Sequence, residues 1–495
     1  PRLSRGVQVE RSSRRLPAAA GRATAFDRGE LALLLHSHMP YVEGYGTWPF
    51  GEEWLWEAIA TSYLPLLDVL EAGAPITLSV TPVLADQLEA LRDDAAVADR
   101  FVGFLRGVRA ETHARDVEGL RAGGEDVLAA EVERAGGDYS RAADRFETLG
   151  GDLLGPLMAH AAWTSAATHA VLPLCSTDAG VRLQVQTGIE AFRRRHGDWA
   201  GGFWLPECAH APWLDALLEE AGVHATCVDL TDVLGLGAPE HGVPLRSAAG
   251  PLLVPIDRVT LELAWSDHGY PAHGTYRDYH HHTIHQHRPW ANDGSPYDHD
   301  AALALAREHA AGFVARTRAR LDACRERLGR PPLLVCAFDT ELLGHWWYEG
   351  AGWLQAVLDE AEAQGLTIAP LDEALERHPP DLAPPDLPPT TWGTPRTLHT
   401  WSGPQVADLI WAARDAELRV VGAGRAATEA AVRELLLAQS SDWAFMVTRE
   451  VAAPYGRERA VAHAAASVKA VELHSRAGRV RNVAPYCSPA TLLVP

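Results

Sequence analysis

The chain has 495 residues, 47% of them hydrophobic and 22% charged, and a formal net charge of −21. Its length predicts one large domain plus an accessory domain. The acidic balance argues against nucleic acid and anionic membrane surfaces as partners, and no stretch reaches the ~20 apolar residues of a membrane span.

Residues 1–28 are rich in arginine, serine and alanine and lack an apolar core segment. They read as a disordered or loosely docked tail and not as a secretory signal. Leu31 to Leu35 is an apolar run leading into His36-Ser-His38-Met-Pro40, a strand followed by a polar loop. Helical periodicity fills Glu53 to Leu70, and Ile76 to Val80 is a second strand. From about 86 to 170 the chain is rich in Ala, Arg, Glu and Leu and predicts a helical insertion. Strand-like segments return at Arg182 to Val185, Gly202 to Leu205, His224 to Asp229, Leu252 to Ile256, Leu333 to Phe338 and Leu366 to Pro370. Helical patterns cover Asp300 to Leu328 and Trp353 to Ala363. Strands alternating with helices predict a parallel α/β barrel whose active-site loops follow the strand C-termini, over residues 29–376. Six prolines in the twelve residues His378 to Pro389 mark an extended connector, 377–390, before a helical C-terminal domain, 391–495. The six cysteines are scattered without CxxC pairs, a pattern of reduced, buried thiols that predicts a cytoplasmic protein.

Two strands end in carboxylates beside tryptophan. Phe338-Asp339-Thr-Glu341-Leu-Leu-Gly-His-Trp346-Trp347 closes one, and Gly202-Phe-Trp-Leu-Pro-Glu207-Cys-Ala-His210 closes another. Paired carboxylates in different environments are what glycosidic-bond chemistry needs, and indole faces suit the C–H-rich faces of a sugar. Burial among Phe338, Trp346 and Trp347 would raise the pKa of Asp339, as a general acid requires. Glu341 reads equally as a partner tuning that acid or as a structural ion-pair residue. His36 and His38 read as sugar-hydroxyl partners in preference to metal ligands, because no Cys or carboxylate completes a set nearby. The run His280 to His287 fits no standard zinc spacing and reads as a solvated loop or helix edge. No internal repeat is present.

The motifs His36-x-His-x-Pro, Trp-Leu-Pro-Glu207-Cys-Ala, Phe-Asp339-Thr-Glu-Leu-x-Gly-His-Trp-Trp and Ser440-Ser-Asp442-Trp-Ala-Phe, in this order, resemble the family 57 glycoside hydrolases. Trp48-Pro-Phe-Gly-Glu-Glu-Trp54 and Thr391-Trp392-Gly are most similar to the 1,4-α-glucan branching enzymes of that family. The resemblance extends in patches from about Leu31 to Tyr455. It implies an incomplete (β/α)7 barrel with helical additions, and a retaining mechanism with no metal or cofactor. By motif position Glu207 matches the nucleophile and Asp339 the acid/base. His36 matches a residue lining the donor sugar subsite, Trp54, Trp265, Trp392 and Trp401 match tryptophans shaping the glucan groove, and Asp442 falls in the last motif. The implied substrate is an α-glucan, glycogen- or amylose-like, and the implied product an α-1,6 branch. The segment Leu230 to Gly250 is shorter than the loop that usually follows this strand in branching enzymes and holds no aromatic residue, so hydrolysis is expected beside transfer. Three alternatives remain: an α-glucan hydrolase on the same fold, a metal-dependent deacetylase-like hydrolase using His36, His38 and the histidine run, and a glycan-binding protein with a dead site.

Overall fold

The computed structural model of the protein describes residues 28–47, 50–248, 250–475, 480 and 482–493. All but Arg28 of the expected tail, and the Trp48-Pro49 pair of the branching-type motif, lie outside the described residues. Among the described residues there are nine strands: β1 (Glu30–Ser37), β2 (Thr77–Val80), β3 (Ala161–Ser165), β4 (Phe203–Trp204), β5 (Ala225–Val228), β6 (Leu245–Arg246), β7 (Leu252–Pro255), β8 (Leu333–Asp339) and β9 (Asp381–Leu382). Five pair in parallel in the order β4-β3-β2-β1-β8. A bridge between Gly202 and Ala225 continues the sheet to β5, and β5 pairs in parallel with β7. Beyond β7, the Asp257 N–H donates to the Val335 carbonyl of β8 at 2.8 Å. Seven parallel strands therefore run around a barrel that closes through single contacts, because β6 occupies the edge of β7 that β8 would otherwise cover.

Central strands buried on both faces read as unbroken aliphatic runs, and β1 and β8 do so. All eight residues of β1 are buried, as are Leu333 to Phe338 of β8. Their partners lock the register: His36 lies opposite both Ser79 and Asp339. Polar side chains thus emerge together where these strands end, at one rim of the barrel.

Five helices lie between β2 and β3: Pro82–Asp93, Ala95–Gly103, Arg109–Ala122, Asp126–Thr148 and Leu154–His160. The segment expected to be wholly helical ends instead in β3. Arg182 to Val185 is also corrected, since it lies within the helix Asp178–His196, whose N-terminus is capped by the Thr177 hydroxyl. Its alternating Val181, Leu183 and Val185 face two clusters, with Leu183 packed in the C-terminal helical core and the two valines against the barrel-side core. Leu366 to Pro370 contributes one bridge, Ile368 to Leu31, and no longer strand.

The proline-rich segment is strapped to the barrel. Asp381 pairs through β9 with β6 near the N-terminal end of β8, where Arg330 meets Asp381. Leu387 then packs on Val228 and Leu253, and Thr390 exchanges backbone hydrogen bonds with His210 at 2.9 Å. An extended chain with few donors suits this path, which climbs the barrel and delivers Trp392 beside Glu207.

Candidate active site

Glu207 sits in a 3-10 turn directly after β4 with φ 62°, and Cys208 follows with φ 50°. Two successive non-glycine residues in the left-handed region store strain of ~1–3 kcal/mol each, which the surrounding contacts must hold. Those contacts are specific. The Glu207 carbonyl accepts the Trp392 N–H at 3.1 Å, and its carboxylate accepts Trp392 Nε1–H at 3.2 Å and the Ser441 hydroxyl at 3.0 Å. Burial lifts this carboxyl to about 7, with the Trp392 and Ser441 donors opposing the rise.

Asp339 ends β8 and is held well above the usual carboxylate range, by burial first and then by the negative charges of Glu341, Glu207 and Asp442. Among the described residues no donor reaches its carboxyl. Glu341, buried at 2% exposure, accepts the His38 N–H at 3.0 Å and the Tyr63 hydroxyl at 2.5 Å, and burial lifts it to about 7. It is a buried group anchoring the loop, and its bonds run to His38 and Tyr63.

The histidines form two systems. His38 Nε2 meets both Asp442 oxygens at 3.0 and 3.1 Å. Burial disfavours charge on both, yet each outweighs that effect on the other: His38 is raised and Asp442 is lowered to about 2. His36 and His169 are held well below the imidazole range, by burial first and then by neighbouring imidazoles, and are therefore neutral. Their bonds run in one direction. The Ser441 hydroxyl donates to Glu207, so its oxygen accepts from His169 Nδ1–H at 2.8 Å. The bare His169 Nε2 then accepts from His36 Nε2–H at 3.0 Å, and His36 Nδ1 accepts from the Ser79 hydroxyl at 3.2 Å. This network assigns both tautomers, and it ends with a donor on Glu207 that favours its ionised form.

Tryptophans flank the pair. Trp392 packs edge-to-face on Trp204 at 4.9 Å and on Trp265 at 5.3 Å. Trp265 and Trp392 keep part of their surface exposed, as does Trp54 against Phe50. Trp401 differs from the expectation that it faces the groove. It is 1% exposed, and its ring lies under Gly393, where a Cβ would come within 3.0 Å of it. Its position supports the Trp392 segment from behind. Trp346, half-buried, lies in the loop whose N–H bonds the Glu341 carbonyl at 3.0 Å and lines a neighbouring cleft.

His38, His169 and Asp442 place three potential ligand atoms within 4.8 Å of one another. The same residues are committed to each other, to His36 and to Ser441, so a metal would have to break this network. The His280–His287 run forms no such group among the described residues; His281 stacks on Trp290 and His287 bonds Asp116.

Sequence reasoning missed His169, Tyr63 and Ser441. Ser441 stood within a quoted motif, but His169 (φ 59°) follows the short, alanine-containing β3 and carries no motif of its own. It is placed by the C-terminal region, whose Ser441 N–H donates to its carbonyl at 3.1 Å while Ser440 bridges Ala170.

The sequence profile of glycosyl hydrolase family 57 matches residues 162–383, and that of the 1,4-alpha-glucan branching enzyme C-terminal region matches 407–482. A probable 1,4-alpha-glucan branching enzyme of Mycobacterium tuberculosis is 34% identical, over 89% of this chain and 91% of that protein. A 1,4-alpha-glucan branching enzyme of Thermococcus kodakarensis is 30% identical over 88% of this chain and 72% of its own. Among solved structures, a GH57-type branching enzyme from Pyrococcus horikoshii superposes with a TM-score of 0.80 at 29% identity, covering 88% of each chain. An α-amylase from Thermotoga maritima, at 22% identity and a TM-score of 0.75 over 94% and 99% of the chains, shares the fold. With its two-carboxylate rim, its seven-stranded barrel and its helical C-terminal region, this chain belongs to the 1,4-alpha-glucan branching enzymes of glycoside hydrolase family 57.

Proposed function

We propose that the protein forms α-1,6 branches in α-1,4-glucans by a retaining, two-step transfer. The observation that carries this reading is the unequal setting of two strand-end carboxylates. Glu207 accepts two donors and ionises first, whereas Asp339, which no donor reaches among the described residues, faces the carboxyls of Glu341, Glu207 and Asp442 and keeps its proton. Glu207 attacks the anomeric carbon while Asp339 gives its proton to the departing glycosidic oxygen, leaving a glucosyl ester on Glu207. Asp339, now ionised, takes the proton of an acceptor 6-hydroxyl. That oxygen attacks the same carbon, displaces Glu207 and restores the original configuration as a branch.

His36 and His38 bound the donor-sugar side, and Trp54, Trp265 and Trp392 hold the glucan by stacking. The helical C-terminal region completes the site rather than forming a separate module, which is supported by Ser441 on Glu207 and Asp442 on His38. A glycogen-like polymer is the physiological substrate and the cytoplasm its place, a reading supported by six free cysteines. Among the described residues no helix is long and apolar enough to cross a membrane.

Some hydrolysis accompanies transfer. The segment after β5 turns away from the rim: Gly237 and Ala238 carbonyls are held by Arg320, and Gly242 lies against Pro332, at the start of β8 and opposite Asp339. It leaves the ester open to water on that side. The test is to trap the ester. Asp339→Asn treated with a glucosyl donor bearing a fluoride leaving group should gain the mass of one glycosyl unit on the peptide containing Glu207. An adduct on Glu341 or Asp442 would overturn the assignment.

A further inference from the structure

Trp392 reaches Glu207 from the far end of the proline-rich segment, and its indole N–H is one of two donors on that carboxylate. Its own backbone is held on both sides. The N–H goes to the Glu207 carbonyl at 3.1 Å, and the Trp392 carbonyl accepts Arg258 Nη2–H at 2.6 Å. Among the described residues no hydrogen bond or ion pair joins Arg258 to Glu207 or Asp339.

Arg258 opens the helix Arg258–Ala264, whose C-terminal cap, Trp265, packs edge-to-face on Trp392. Its guanidinium is aimed by Asp229, the residue after β5. Asp229 Oδ2 accepts Arg258 Nε–H at 2.9 Å and also Nη2–H, while Oδ1 accepts the Thr231 N–H at 2.9 Å. Arginine carries two hydrogens on Nη2 in one fixed plane. With one committed to Asp229, the other is directed at the Trp392 carbonyl. Glu262 stands 3.8 Å from Nη1 and leaves Nη2 to these two partners. Asp229 and Arg258 are 2% and 9% exposed, so water competes poorly for these bonds.

A buried arginine–carboxylate pair is often matched in stability by apolar residues of the same volume. What apolar residues cannot do is hold the Trp392 carbonyl. Trp392 supplies a backbone donor to the strained Glu207 turn, at φ 62°, and a side-chain donor to its carboxylate.

We propose that Arg258, aimed by Asp229, is a positioning residue for the nucleophile, fixing the Trp392 backbone so that the indole N–H stays on the Glu207 carboxylate. The inference rests on the reading of Glu207 as the group that ionises to attack. A slackened Trp392 deprives the ionised carboxylate of a donor and moves its titration upward. His169 at 3.8 Å, with His38, Asp339 and Asp442, also faces Glu207, and the test leaves all four in place.

The test is the pH dependence of kcat/KM for a glucosyl fluoride, whose leaving group needs little acid, so the acid limb reports Glu207. Two variants keep the local net charge. Arg258→Lys retains the cation without the fork. The double change Asp229→Asn with Arg258→Met strands no buried charge and keeps an oxygen for Thr231. Thermal unfolding checks that each folds. Both should move the acid limb up by roughly half to one pH unit, and neither should add to the shift of Trp392→Phe when combined with it. A lower Tm with an unmoved limb would make the pair structural, overturning the proposal and sparing the nucleophile. A shift that adds in full to that of Trp392→Phe would also overturn it, because Arg258 would then act on Glu207 by another route. A limb that Trp392→Phe itself leaves unmoved would overturn the reading of Glu207 together with the clamp.

Discussion

Replacing Glu207 by Gln should stabilise the folded protein above neutral pH, with a smaller gain in mild acid. Burial lifts the Glu207 carboxyl from 4.5 to about 7, so the fold penalises its ionised form by roughly 3 kcal/mol at ~1.36 kcal/mol per pH unit. An acid with a raised folded-state pKa withdraws no stability below its unfolded value. The loss grows as pH rises through 4.5 toward 7 and is constant beyond. Gln removes the charge without removing the contacts. Its carbonyl can accept Trp392 Nε1–H, and its amide can donate to Ser441 if the hydroxyl turns toward His169 and the His169–His36–Ser79 chain reverses. With ~2.1 cal/mol/K of unfolding entropy per residue, a chain of this size gains about 3 °C in Tm at pH 8 and about 1 °C at pH 5.5. Differential scanning calorimetry of both proteins at these two pH values is the assay. Equal gains at the two pH values, or a less stable variant at pH 8, would refute the electrostatic account of the site.

Asp339→Asn should fold and lose turnover by orders of magnitude, and azide with a good leaving group should restore activity with retained configuration; recovery in Glu207→Gln with retention would mean the roles are exchanged. Because Glu207 must be ionised to attack, kcat/KM should fall below about pH 7, and Trp392→Phe, which removes a donor to the carboxylate, should move that acid limb up by roughly one unit. Trp401→Ala should lower stability by ~3–5 kcal/mol as a buried-indole deletion, read as a lower denaturant midpoint. Trp265→Ala should leave the midpoint unchanged and raise the KM for glucan.

The parts legible in the sequence are those whose signal is local. The aliphatic runs of β1 and β8 need two-sided burial, and their terminal His36 and Asp339 follow directly. Other parts depend on distant packing. β3 is Ala-Ala-Trp-Thr-Ser, a poor strand former by composition, held in place by β2 and β4. The helix Asp178–His196 looks like a strand over residues 181–185 because it is covered on two sides, and burial on both faces erases the one-faced helical pattern. His169 enters the site through bonds to Ser441, which is 272 residues away. Trp401, which the family resemblance matches to a groove tryptophan, is buried, since nothing in its sequence says that Gly393 will pack over it. The proline-rich connector is plain in the sequence, but its path up the barrel to Glu207 is a tertiary fact.

The most direct test of the central claim is to incubate purified protein with amylose and count α-1,6 linkages and new reducing ends separately. Transfer through a glucosyl ester at an incompletely closed rim predicts that both rise together, with α-1,6 linkages appearing from the earliest time points and the ratio of linkages to reducing ends falling in Trp392→Ala. New reducing ends without α-1,6 linkages would contradict the account and leave a hydrolase on the same barrel.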